Sequence, residues 1–180
     1  AHMDHPGFEL IEAGRRGYVA RALGGVPVAS LKQPTPAQVL LPDGERLPAE
    51  LAPPDQPLSG DPSDRLTLLR LRDDISPAPP PPVVFALPDY QLDGEYIRMR
   101  ALDDLAGCGA VLAAIERLVH ASAAADVYAV FTRAEEGGLF GARLMADAGT
   151  LPGETLVVSV ESSAVIPGVA QGEGPVIRTG

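Results

Sequence analysis

Proline is the residue that most restricts what this 180-residue chain can fold into. Its ring fixes φ and removes a backbone donor, so a proline-dense stretch excludes helices and strands in the middle of a sheet. Many of the 19 prolines fall between about residues 12 and 97, and five of them occupy the six positions 77–82. Helical periodicity is absent over the same span. Short apolar runs alternate there with turn signals: Tyr18-Val19-Ala20, Gln38-Val39-Leu40-Leu41, Leu66-Thr67-Leu68-Leu69-Arg70-Leu71 and Val83-Val84-Phe85-Ala86. Pro42-Asp43-Gly44 is a hairpin signal. The pattern predicts a small all-β module over residues 12–97. Residues 77–82 would be an exposed extended linker or surface loop; disorder in part of 42–65 is the alternative to strands there.

The period changes from Tyr96. Tyr96-Ile97-Arg98-Met99-Arg100 has a strand's composition. Asp103-Asp104 then precede Val111, Leu112, Ile115, Leu118 and Val119, apolar residues at helical spacing. Carboxylates at that end suit capping and the helix dipole, so a helix is expected over 105–121. A strand at 127–132, a helix at 139–148 and a strand at 155–160 should follow, with Pro175-Val176-Ile177-Arg178 starting one more. Residues 1–11 read as a strand and its exit, interrupted at Pro6-Gly7. Strands alternating with helices imply a mostly parallel sheet with flanking helices. The expected fold class is therefore α/β, built from residues 1–11 and 98–180 and interrupted by the inserted β module at 12–97.

Composition narrows the function. The core must be aliphatic, since only 4% of residues are aromatic. A net charge of −10 argues against nucleic acid and anionic membranes as partners and leaves carboxylates for a cation. Cys108 is the single cysteine, which excludes an intrachain disulfide and a thiolate zinc cluster. No apolar run has the length of a membrane helix, and no signal peptide is recognisable, so a cytoplasmic location is expected. The chain opens inside an expected strand and stops just after another, as a piece of a longer polypeptide would.

Two adjacent carboxylates, Glu135 and Glu136, sit where the apolar run ending at Phe131 hands over to a helix. In open α/β sheets that strand end is where ligands bind. Neighbours on extended backbone point to opposite sides, so one carboxylate can hold a cation while the other faces a reacting water. His2, Asp4, Asp103 and Glu161 also fall at expected strand ends or strand-to-helix turns. One imidazole with several carboxylates suits Zn, Mn or Co in a catalytic site. Metal lowers the pKa of a bound water, and a spare carboxylate beside that water serves as general base. Asp103 could equally be a helix cap, and Glu161 a solvated strand end.

The chain resembles the dinuclear-metal aminopeptidases, the family of glutamyl, deblocking and tetrahedral aminopeptidases, some once described as endoglucanases. The resemblance rests on His2-Met3-Asp4 before Gly7, on Ala101-Leu102-Asp103-Asp104-Leu105-Ala106-Gly107-Cys108, on residues 132–142 and on Gly172-Glu173-Gly174-Pro175. It implies metal-dependent removal of N-terminal residues from peptides, with two divalent ions, Zn first and Co or Mn next. His2 would be a terminal metal ligand and Asp4 the group that orients it. Asp103 would bridge the metals, Glu135 would be general base, Glu136 a terminal ligand, and Glu161 the terminal ligand of the other metal. The family's inserted β module mediates homo-oligomers, including twelve-subunit tetrahedra.

The chain departs from the family's pattern at four places. His5 stands where Glu is common, Leu105 where Arg is frequent, and Glu161 where Asp is usual. The family's last histidine ligand has no counterpart after Glu161. His120 lies on an expected helix and reads as a surface residue. Two alternatives follow: a degenerate, metal-free binding or assembly module, and the related zinc carboxypeptidases and deacylases. In the latter the first His and the bridging Asp are usually close in sequence. Here the whole β module separates His2 from Asp103, which favours the aminopeptidases.

Overall fold

The computed structural model describes the chain except residues 15, 16, 62, 63, 73, 74, 76–78, 179 and 180. Six antiparallel strands close into a barrel: β1 (Gly7–Gly14), β2 (Gly17–Leu23), β3 (Thr35–Leu40), β4 (Arg46–Ala52), β5 (Leu66–Leu71) and β6 (Val83–Phe85). The order around the barrel is β1-β2-β5-β4-β3-β6, and β6 closes it on β1 through Phe8 and Val83. Closure removes free strand edges, which is how a proline-rich sheet avoids templating further strands. Alternation fills the interior. Phe8, Ala20, Val39, Leu51, Leu69 and Val83 form the centre of one apolar cluster, with Leu51, Leu69, Val39 and Val83 fully buried. A bulge between Leu10 and Glu12 shifts the register of β1 on β2.

The barrel strands run from Gly7 to Phe85. Strand β1 begins at Gly7, ahead of the expected boundary at residue 12. The alternative of disorder within 42–65 does not hold over Arg46–Ala52. That segment is β4, paired with β3 across the Asp43-Gly44 turn, where Gly44 takes φ +91°. Pro48 escaped recognition as a strand residue, because pairing overrides its poor propensity. Of the expected polyproline linker, Pro77 and Ala78 lie outside the described residues. Pro79, Pro80 and Pro82 are exposed, but Pro81 is buried, so this stretch is partly packed rather than freely exposed. The Pro82 carbonyl accepts the Leu40 N–H at 2.9 Å.

Beyond the barrel, β7 (Gln91–Asp93) and β8 (Tyr96–Arg98) make an isolated hairpin. Two helices follow, α1 (Leu102–His120) and α2 (Phe140–Asp147), close to their expected positions. Asp103 and Asp104 are non-helical and joined by a cis peptide, so the regular helix begins beyond them. The mostly parallel sheet expected here is not formed among the described residues. Residues 127–131 and 155–160 carry the apolar, β-rich sequence of strands but have no ladder partners. A parallel bridge joins His2 to Thr132. Residues 175–178 are likewise not a strand. The described residues form a mixed structure: a closed antiparallel barrel, a hairpin, a short 3-10 turn at Val28–Leu31 and two α-helices. None of its described helices is long and apolar enough to cross a membrane.

Candidate metal centre

His2 is the hub. Its segment is bound to residue 132 from both sides: Thr132 N–H donates to the Ala1 carbonyl, and Met3 N–H donates to the Thr132 carbonyl, each at 3.1 Å. The imidazole is only 2% exposed. Nε2 lies 3.2 Å from Asp103 Oδ1, 3.4 Å from Glu161 Oε1 and 3.6 Å from Glu135 Oε2. On the far side of the ring, Nδ1 is 3.0 Å from the Asp4 carbonyl oxygen and 3.6 Å from Asp4 Oδ1. A protonated Nδ1 would donate to that carbonyl and leave Nε2 as a lone-pair donor facing the carboxylates, the tautomer that a metal-binding histidine needs.

Each carboxylate is placed by local backbone. Glu135 opens a tight turn into α2, where its carbonyl accepts the N–H groups of Gly138 and Leu139 at 2.8 and 2.9 Å. The Asp4 carboxylate straddles that turn, accepting from Glu135 N–H at 3.1 Å and Glu136 N–H at 3.2 Å. Glu161 is tied in through its neighbour: the Ser162 hydroxyl donates to Asp104 Oδ1 at 3.2 Å. Asp104 also accepts the His2 N–H at 3.3 Å and is fully buried. Gly107 makes room for it, since a Cβ there would collide with the Asp104 carboxylate. Cys108 packs underneath and donates its thiol to the His2 carbonyl at 3.2 Å. Burial pushes that thiol's pKa up, keeping it protonated for the role.

The charges in this cluster favour a cation. Burial works against a charged imidazole, but Glu161, the Asp4 carbonyl, Glu135 and Asp103 together outweigh it and raise the His2 pKa. Glu161 is raised by burial first, then by its hydrogen bond to Asp103 and by the charges of Asp103 and Asp104, with His2 opposing. Crowded carboxylates thus compete for protons where a divalent ion would relieve them. Geometry agrees: His2, Asp103 and Glu161 offer one donor atom each, all within 4.8 Å of one another. Zinc held tetrahedrally at ~2.0–2.2 Å needs donors roughly 3.3–3.6 Å apart. Of the Nε2 separations, 3.4 Å to Glu161 lies within that range and 3.2 Å to Asp103 just below it.

The residues expected from sequence divide into two groups. His2, Asp103, Glu161 and Glu135 converge, with Asp4 behind the ring. Glu136 is linked to them through its main chain, but its Oε2 accepts the Gly25 N–H at 2.9 Å, and it is outside the three-residue donor group. The sequence did not single out Ser162 as a site residue, and it did not show that Gly107 makes room for Asp104 or that the Cys108 thiol donates to His2.

Comparison with curated proteins finds no match. Among solved structures, the chain is 27% identical to the TET1 peptidase of Pyrococcus horikoshii, described as assembling into a tetrahedron or a large octahedral shell. That match has a TM-score of 0.62 and covers 82% of this chain and 48% of the other. A PhTET1 dodecamer is matched at 26% identity and TM-score 0.60, over 82% and 47% of the two chains. An aminopeptidase from the archaeon Desulfurococcus kamchatkensis, at 23% identity, shares the fold with TM-score 0.62 over 96% of this chain and 49% of its own. The chain spans about half the length of these solved relatives. The family model for the M42 glutamyl aminopeptidase matches residues 78–180, more than half of the chain, and the chain belongs to that family.

Proposed function

We propose that this chain carries part of the catalytic centre of a metal-dependent aminopeptidase. The observation that carries the reading is the convergence of Asp103, Glu161 and Glu135 on the Nε2 of a buried His2. His2, Asp103 and Glu161 would hold a divalent cation, zinc by donor chemistry, with cobalt or manganese as substitutes. Asp103 and Glu136 would hold a second cation. Bound metal would supply Lewis acidity and a more acidic water.

The chain's own residues do the rest. Glu135, beside the donor group but not within it, takes a proton from the attacking water as its oxygen adds to the scissile carbonyl carbon. The same carboxyl then returns the proton to the leaving amine as the C–N bond breaks, releasing an N-terminal residue and a shortened peptide. Asp4 fixes the Glu135 main chain through one oxygen and faces His2, so it couples ligand and base. Residues 12–97 would form the oligomerisation module and residues 1–11 with 98–180 the catalytic part, completed as a parallel sheet with flanking helices. Self-assembly through the module is suggested by the assemblies described for the TET1 relatives. A cytoplasmic setting fits a chain with one cysteine, which is buried.

The test is Glu135→Gln in an active preparation. Aminopeptidase turnover should fall about 10²–10⁴-fold while metal content is retained. Normal turnover would overturn the mechanism. Loss of metal together with activity would instead make Glu135 a ligand.

A further inference from the structure

The loop leaving the barrel after β2 reaches the site, and nothing in the function above accounts for it. Gly25 N–H donates to Glu136 Oε2 at 2.9 Å. The carbonyls of the two residues on either side of Gly25 are both held by one side chain: Arg65 Nη2 donates to the Gly24 carbonyl at 2.7 Å and Nη1 to the Val26 carbonyl at 3.3 Å. Val26 itself is buried in the barrel core. The main chain of Arg65 is fixed as well, because its carbonyl accepts Ala22 N–H at 2.9 Å at the end of the β2–β5 pairing. With both neighbouring carbonyls pulled toward the guanidinium, the Gly25 N–H is left facing outward to the carboxylate. Contact is close enough to forbid a side chain: a Cβ on Gly24, whose φ is +75°, would lie 2.9 Å from Glu136 Cβ.

We propose that Arg65 is a positioning residue for Glu136, acting through the Gly24-Gly25-Val26 loop. Its planar fork locks the loop so that the Gly25 amide anchors one oxygen of Glu136 and leaves the other for a cation. This rests on the metal reading above and extends it. Carboxylates that bind metal are themselves hydrogen-bonded by a supporting group, and removing such a support typically weakens metal affinity about 10–100-fold. Lysine cannot replace the fork, because one ammonium on a flexible stem does not present two donors in fixed geometry. The barrel, which contains none of the expected ligands, thereby sets the geometry of one of them.

Two measurements on the full chain separate this proposal from the reading beneath it. Amide exchange of Gly25, followed by NMR, needs no metal. It should accelerate roughly five- to tenfold in Glu136→Ala and in Arg65→Ala, as expected for loss of one hydrogen bond. The amides of Ala20 and Leu69 report whether the barrel is intact. If Arg65→Ala disrupts them, Arg65→Lys gives the same comparison with a smaller perturbation. Unchanged Gly25 exchange with an intact barrel overturns the clamp. Co²⁺ titration then reads the binding step that Glu136 would join: its affinity should drop about 10–100-fold in Arg65→Ala and be only partly restored in Arg65→Lys, while the step at His2, Asp103 and Glu161 keeps its affinity. Wild-type binding with unaltered affinity in Arg65→Ala would overturn the positioning role alone. Absence of binding by wild type would overturn the metal reading, and the positioning role with it.

Discussion

The two halves of this chain bury their apolar residues to opposite degrees. In the barrel, Leu51, Leu69, Val39 and Val83 are wholly buried, and the strands satisfy one another around a closed circuit. In residues 102–178, α1 buries only Asp104, Gly107 and Cys108, and α2 buries nothing. Leu156, Val157 and Val158 are each at least 71% exposed. A cavity of about 780 Å³ opens between residues of α1, α2 and the two unpaired extended segments. Close packing leaves few voids larger than a water in a finished core. The barrel is therefore a self-sufficient unit, whereas the second half owes its order to polar anchors around His2.

The largest effect that would break this contrast is in core stability. Leu69→Ala or Leu51→Ala should destabilise the barrel by about 3–5 kcal/mol in chemical denaturation. Leu156→Ala should change stability by no more than ~0.5 kcal/mol. Equal costs would mean that the second half has a closed core of its own. Next comes the cation. Zn²⁺ at a hundredfold excess over its Kd should stabilise the segment around His2 by about 2.7 kcal/mol, and a chelator should reverse it. Protection confined to barrel amides would contradict the placement of the site.

Asp104 tests the polar anchors directly. Asp104→Ala leaves the His2 N–H and the Ser162 hydroxyl without their partner and should cost about 1–3 kcal/mol, read by exchange around residues 2 and 162. A neutral outcome would show that the anchors are dispensable.

Sequence reasoning succeeded where a signal is local. The Asp43-Gly44 turn, the alternation in Leu66–Leu71 and the spacing through α1 can each be read within a few residues. His2, Asp103, Glu135 and Glu161 were singled out by residue type at expected element ends and by the family resemblance. What failed depends on distant partners. Residues 127–131 and 155–160 have strand composition, but a strand exists only where another pairs with it. The link from Arg65 to Glu136 spans two parts of the chain with no shared motif. Glu136 showed its type in the sequence but not that its carboxylate meets the Gly25 amide.

The smallest effect concerns the seam between the halves. Asp89 bonds Arg46 of β4 at 2.6 Å and also pairs with Arg100, just ahead of α1. The hydrogen bond from Arg46 lowers the Asp89 pKa below its ordinary value; desolvation opposes it, and the charges of Arg100 and Arg46 add to the lowering. A depressed folded pKa adds stability above the unfolded pKa, near ~3.9, that is lost as pH falls through the folded value. Asp89→Asn should therefore lower Tm slightly at neutral pH, and the difference should vanish in strong acid. A difference that grows on acidification would contradict the ion pair.

The central claim is that His2, Asp103 and Glu161 form one cation site, and calorimetric titration with Zn²⁺ tests it most directly. The wild-type chain should take up a cation saturably, and Asp103→Asn should abolish measurable binding while the barrel amides stay protected. A wild type that gives no more heat than dilution, or an Asp103→Asn chain that binds as wild type does, would contradict the account.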